Sequence, residues 1–104
     1  MAHAPLFFKS VKQFCVRRPH AVSGIQQWAK RMEENSPHNF NELRALFGSA
    51  DYVAPFTIFN IAGNKFRLIA VVHYASGSVF IRQMLTHSEY DRWTKRYQQG
   101  KIKS

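Results

Sequence analysis

Three cations, Lys65, Arg67 and Arg82, precede an imidazole, His87, and a phenol, Tyr90. Together these residue types can hold an anion and move a proton beside it. Arginine and lysine present fixed positive charge to phosphate or carboxylate. Histidine titrates near neutrality, which suits a general acid or base. Tyrosine can donate a proton or stack on a base. Asn60 and Asn64 flank the first cations, and Asn64 stands where a turn is expected, so its backbone could cradle phosphate or simply make the turn. Arg92, Lys95 and Arg96 follow as candidate contacts to a large polyanion, with a solvated helix face as the ordinary alternative. By type alone, His87 is more readily a helix-start residue, and Tyr90 is equally a half-buried anchor. The five histidines, His3, His20, His38, His73 and His87, show no metal-ligand spacing, so no metal and no cofactor are expected.

These groups act together only if the elements between them reach one face. The first half of the chain reads helical. Val11, Phe14 and Cys15 keep helical spacing until Pro19. Ala21, Val22, Ile25, Trp28, Ala29 and Met32 keep it for more than three turns, with Gly24 an awkward guest and Ser36-Pro37 as the stop. Asn39 or Asn41 caps a short third helix through Leu43, Leu46 and Phe47, ending at Gly48. Leu6 to Phe8 is a brief opening strand or the start of the first helix. The second half changes period. Strands are expected over Phe56–Ile61, Lys65–Tyr74 and Val79–Leu85, separated by turns at Gly63-Asn64 and Ser76-Gly77. Thr86 and Glu89 have capping-box spacing, so a polar helix runs from His87 toward Gln98 and stops at Gly100. The tail from Lys101 is expected to fray. Trp28 and Trp93 are read as packing.

With two-residue turns, Asn60 falls opposite Arg67, Arg67 opposite Thr86, and Val71 opposite Arg82. One sheet face then collects Phe59, Ile61, Phe66, Leu68, Ala70, Val72, Val79, Ile81, Gln83 and Leu85, which must pack on the helices. The other collects Asn60, Lys65, Arg67 and Arg82 among Ile58, Ile69, Val71 and Met84. That face reads as a cationic, partly apolar concavity for an anionic ligand. Alternatively, Arg67 and Arg82 pair with Asp91, Glu89 or Asp51.

Composition narrows the field. The chain has 104 residues, 45% hydrophobic and 20% charged, enough for one domain over residues 1–104 and a real core. Fifteen Lys and Arg against six Asp and Glu give a formal net charge of +9, which directs attention to nucleic acid or other polyanions. The excess is concentrated in residues 56–104, with eight basic groups against two acidic ones. No apolar run is long enough to span a bilayer and no basic amphipathic face appears, so no membrane role is expected. A single cysteine, Cys15, excludes an internal disulfide and reads as a small buried hydrophobe. No signal peptide is evident. Both points fit a reducing cytoplasm.

Phe59-Asn60-Ile61-Ala62-Gly63-Asn64-Lys65-Phe66-Arg67-Leu68-Ile69 resembles a signature, FNIxGNKYRLI, of the HigB-type toxins in the RelE/ParE superfamily. Val79-Phe80-Ile81-Arg82 followed by Thr86-His87-Ser88-Glu89-Tyr90-Asp91 resembles the second, VFIR…THxEYD. Leu43 to Asp51 resembles the lead-in. Phe66 stands for the usual Tyr, Ala62 for a Gly and Gly48 for a Pro. The resemblance covers Leu43 to Asp91 and implies an α+β, RelE-like fold: N-terminal helices on one face of a small antiparallel sheet, with a C-terminal helix. It implies a toxin–antitoxin toxin of the bacterial cytoplasm, a metal-independent mRNA endoribonuclease (an mRNA interferase) that inhibits translation on the ribosome. It implies a HigA-like helix-turn-helix antitoxin whose complex binds operator DNA. Under this resemblance His87, Lys65, Arg67, Arg82 and Tyr90 form the catalytic set, and Asn60, Asn64, Arg92, Lys95 and Arg96 contact RNA. An acidic antitoxin segment is expected over the Arg67/Arg82 face, covering Ile58, Ile69, Val71 and Met84. Two alternatives are a non-catalytic poison of a protein such as DNA gyrase, and a non-catalytic basic RNA-binding module. The first needs no acid–base group. The second lacks any helix-turn-helix, zinc-finger or RNP pattern here.

Overall fold

The computed structural model describes residues 9–102. The expected strand at Leu6–Phe8 and the last two residues lie outside that range. Three helices come first: α1 (Lys9–Arg17), α2 (Ala21–Glu34) and α3 (Phe40–Leu46). Four strands follow as β1 (Asp51–Val53), β2 (Phe56–Ile61), β3 (Phe66–His73) and β4 (Ser78–Thr86), and α4 (His87–Gln98) closes the order. The sheet is antiparallel throughout, with spatial order β1-β2-β3-β4. The α+β class and the C-terminal helix agree with expectation. β1 is an addition, since three residues are too few for an alternating pattern to register.

The 3.6-residue spacing of α2 buries Ala21, Ile25, Trp28, Ala29 and Met32 against the sheet. Gly24 has a reason to interrupt this series. A Cβ there would lie 2.8 Å from Ile61 Cγ2 and 2.9 Å from the Ala62 nitrogen, so only glycine lets α2 reach the end of β2. Asn39, not Asn41, caps α3, its side chain accepting from the Glu42 N–H at 2.9 Å. Phe14, Trp28, Met32 and Leu43 join Phe59, Ile61, Phe66, Leu68, Ala70, Val79, Ile81 and Met84 in the core under the helices. Phe66 is buried there, its ring edge-on to Phe14 at 5.2 Å. Fully burying a side chain of this size contributes about 1.5–3 kcal/mol.

The β2–β3 hairpin has the expected register, with Asn60 opposite Arg67. Its turn is wider, because the ladder stops at Ile61–Phe66 and leaves Ala62 to Lys65 as the connection. Lys65 is therefore a turn residue rather than part of the strand with Arg67. The β3–β4 hairpin departs from expectation. Arg67 lies opposite Leu85, not Thr86, and Val71 opposite Phe80, not Arg82. Two features cause this. The turn runs over Tyr74–Gly77, which displaces the pairing near it by an even step and leaves the faces unchanged. A bulge then leaves Arg82 as the extra residue, since Ile69 pairs with Gln83 and Ala70 with Ile81. Beyond the bulge the faces are exchanged. Met84 faces α1 and α2 at 5% exposure, while Gln83 and Leu85 turn to the opposite face.

That opposite face is not an open concavity. α4 lies across it, and Trp93 packs with Phe56, Ile58 and Ile69 in a second core, flanked by Val71, Leu85, Tyr90 and Tyr97. Ile58 is 2% exposed and Ile69 is fully buried, so the apolar patch expected to receive a partner is covered by the chain itself. Lys101 and Ile102, expected to fray, are held instead. Gly100, at φ 73°, gives a Schellman end to α4, with the Gly100 N–H on Tyr97 O and the Lys101 N–H on Arg96 O. This turns Lys101 and Ile102 back, and Ile102 packs on the Trp93 core.

Candidate functional site

The capping box fixes where α4 begins. The Glu89 N–H donates to Thr86 Oγ1 at 3.3 Å, and the Thr86 N–H donates to Glu89 Oε1 at 2.8 Å. That bond from the backbone lowers the Glu89 carboxyl below its ordinary pKa, outweighing partial burial. His87 is consequently the first residue of α4, where unpaired backbone N–H groups and the helix dipole favour an anion.

With Trp93 directed into the sheet, the 100° step of a helix sends Tyr90 and His87 to one flank of α4. It sends Arg92 and Arg96 to the other. On the first flank, Tyr90 stacks on Trp93, with ring centroids 5.7 Å apart and planes 15° apart. Burial raises the Tyr90 pKa, and the nearby Asp51 and Asp91 carboxylates add to the effect against Arg67. The phenol therefore keeps its proton at neutral pH. The Arg67 guanidinium sits 5.8 Å from the Tyr90 ring centroid. Its other contacts hold it in place: it donates to Asn64 O at 3.0 Å and to Phe66 O at 3.3 Å. Asn60 Nδ2 donates to Asn64 Oδ1 at 2.9 Å and so braces the same turn. His87 is exposed, and its Nδ1 lies 3.7 Å from Asp91 Oδ2, one turn along α4. With Nδ1 toward Asp91, Nε2 is left for solvent or substrate.

Arg67, Tyr90, Asn60 and Asn64 are thus in one network, with His87 on the same flank of the helix. Among the described residues no carboxylate is in ion-pair contact with Arg67 or Arg82. The three acids weighed as partners are engaged elsewhere: Glu89 by the cap, Asp91 facing His87, and Asp51 accepting from the Tyr52 N–H at 3.0 Å. Lys65 is exposed in the turn beside this network. Arg82 is exposed at the bulge, three residues before Leu85, or roughly 10 Å along the strand from the Arg67 pairing. Arg92 and Arg96 line a different cleft, and Lys95 is exposed on the outer side of α4.

Two contributions were not legible from spacing. Tyr97 read as nothing in particular, yet its hydroxyl donates to Ala54 O at 2.6 Å and pins α4 to the β1–β2 connection. Ala62 adopts φ 55° beside Gly63 at φ 69°, a left-handed pair that shapes the turn under Arg67. The departure from glycine noted at position 62 is therefore a strained one, costing about 1 kcal/mol.

A family model described as HigB_toxin, RelE-like toxic component of a toxin–antitoxin system, matches residues 21–93, from the start of α2 to Trp93. The chain is 40% identical over 55 residues to the mRNA interferase toxin HigB of Escherichia coli (strain K12), covering 50% of this chain and 53% of that protein. The same values hold for the mRNA interferase HigB of Shigella flexneri. The chain thus spans about half the length of these curated relatives. An mRNA interferase HigB from Escherichia coli O6:H1 (strain CFT073) is 24% identical over 91 residues, covering 84% of this chain and 88% of that protein. The match of α2, α3, the whole sheet and most of α4 to one model places the chain in the HigB toxin family of RelE-like toxic components of toxin–antitoxin systems.

Proposed function

We propose that this chain is the toxin of a toxin–antitoxin pair and an mRNA endoribonuclease, with its site on the flank of α4 that carries His87 and Tyr90. The observation that carries the reading is Arg67. Its guanidinium is fixed by a turn carbonyl and an aromatic ring, forms no ion pair with a carboxylate among the described residues, and lies beside the start of a helix. A cation held without a counter-ion is prepared for an incoming phosphate. The names of the relatives, mRNA interferase, support that choice of anion.

RNA cleavage without a metal needs a base for the 2′-hydroxyl, charge stabilisation at phosphorus and an acid for the leaving 5′-oxygen. Arg67 binds the scissile phosphate, with Lys65 beside it and Arg82 on a neighbouring phosphate. His87, oriented by Asp91, takes or gives a proton through Nε2. Tyr90 remains protonated and acts as donor or as a stacking surface for a base. Asn60 and Asn64 hold the turn that presents Arg67. Lys95 extends the positive surface. The substrate is mRNA engaged on the bacterial ribosome, in the cytoplasm, and the neutralising partner is a helix-turn-helix antitoxin of HigA type.

The test is cleavage of a defined mRNA by the purified protein, with and without translating ribosomes, with EDTA in a parallel arm, and with 5′ ends mapped. Cuts that persist in EDTA and vanish in His87→Ala support the reading. Their restriction to ribosome-containing reactions supports the translation-coupled form. A folded protein that stops growth and cuts nothing would replace it with a poison of a protein target.

A further inference from the structure

The other flank of α4 bounds a cleft of about 570 Å³, within the range of ligand-binding clefts. Arg92, Arg96 and Lys101 stand around it, and Leu85, Trp93 and Ile102 supply apolar surface. The fold builds this cleft deliberately. The β4 bulge turns Gln83 and Leu85 toward it, and the Schellman end of α4 brings Lys101 and Ile102 back to its far wall. Its one carboxylate, Glu89, already accepts from the Thr86 N–H, leaving the three cations in excess. Trp93 is 4% exposed, and its indole N–H is a buried donor with no acceptor among the described residues.

We infer that this cleft docks an acidic peptide segment of a protein partner, one carrying carboxylates and an apolar anchor. The cations meet the carboxylates, and Leu85 and Ile102 meet the anchor. A bare phosphate backbone would use the cations and leave the apolar floor wet. The inference rests on the toxin–antitoxin reading only for the source of the segment, since a neutralising partner of so basic a chain is itself expected to offer acid. Docking here leaves the Arg67–Tyr90 flank uncovered, so the partner would hold the toxin without occupying its site.

The test uses Gln83→Glu/Lys101→Glu, which makes the cleft more acidic without touching the proposed site. A fluorescein-labelled peptide of alternating Glu and Leu, and separately an oligouridylate, are titrated by anisotropy against wild type and variant at two salt concentrations. The expected result is salt-sensitive peptide binding that weakens at least tenfold in the variant, with oligouridylate affinity changed less than twofold. In wild-type protein the Trp93 indole resonance, assigned in Trp28→Phe, moves on peptide addition. Unchanged peptide affinity overturns the inference. An equal loss of oligouridylate overturns it in favour of an RNA surface. Neither outcome bears on cleavage, so the function proposed above stands or falls separately.

Discussion

The two flanks of α4 carry the same kind of charge and are built in opposite ways. On one, Arg67 is held by Asn64 O, Phe66 O and the Tyr90 ring, and the turn beneath it is braced by Asn60. On the other, Arg92, Arg96 and Lys101 stand around an open cleft with an apolar floor. A fixed cation beside a protonated phenol and an imidazole suits chemistry, where geometry must be set before the reaction. Exposed cations around an apolar floor suit docking. Net charge alone would have treated both flanks as one basic surface.

Trp93 joins the flanks, so its loss should produce the largest effect. It packs between Tyr90 and Tyr97 and against Phe56, and Trp93→Ala is expected to cost about 3–5 kcal/mol. Thermal unfolding would then fall by roughly 15 °C or more. A shift of only a few degrees would mean that α4 is held by something other than this core.

Arg67→Ala separates the flanks. Cleavage is expected to fall about 100- to 1000-fold, the scale for removing one charge-stabilising donor. Folding should survive, because the losses are two hydrogen bonds to nearby carbonyls, worth about 1 kcal/mol each, and one cation–π contact of about 0.5–1 kcal/mol. Circular dichroism and single-turnover cleavage on the same sample check both halves. Retained cleavage would remove Arg67 from the site.

Smaller effects sharpen the comparison. Glu89→Ala deletes one arm of the cap that places His87, at about 1 kcal/mol by urea unfolding at neutral pH. The Glu89 pKa is lowered in the folded state, so its contribution is full above the ordinary glutamate range and is lost as pH falls through the folded value. The stability gap between wild type and variant should therefore begin to narrow as pH falls through the ordinary glutamate range and close below the lowered folded value. A gap that persists in acid would show that the cap does not act through the charge. Ala62→Gly should act in the opposite direction, stabilising by about 1 kcal/mol by relieving the left-handed alanine. Unchanged or lower stability would mean that glycine's extra freedom in the unfolded chain offsets the relief.

Much of this was legible in the sequence. The apolar spacing of α2, the Thr86–Glu89 cap and the Asn60–Arg67 register each depend on local chemistry, and each stands as expected. The errors came from events that local chemistry does not specify. A strand pattern cannot show a bulge, so Arg82, Gln83, Met84 and Leu85 were assigned to faces by an uninterrupted alternation. The amphipathic pattern of α4 shows that Trp93 is buried but not which sheet face receives it, so Ile58 and Ile69 read as exposed. Lys101 and Ile102 read as a frayed end because the effect of Gly100 depends on an apolar surface to fold back onto. Within the candidate site, residue types marked Arg67, Tyr90 and His87. The division of the basic residues between two flanks needed the helix in place.

The most direct test of that division is single-turnover cleavage of one defined mRNA by Arg67→Ala and by Gln83→Glu/Lys101→Glu, measured in parallel with wild type. The expected result is a loss of about 100-fold or more in the first and near wild-type cleavage in the second. Equal losses in both would mean that RNA lies across both flanks, and that the separation of chemistry from docking is wrong.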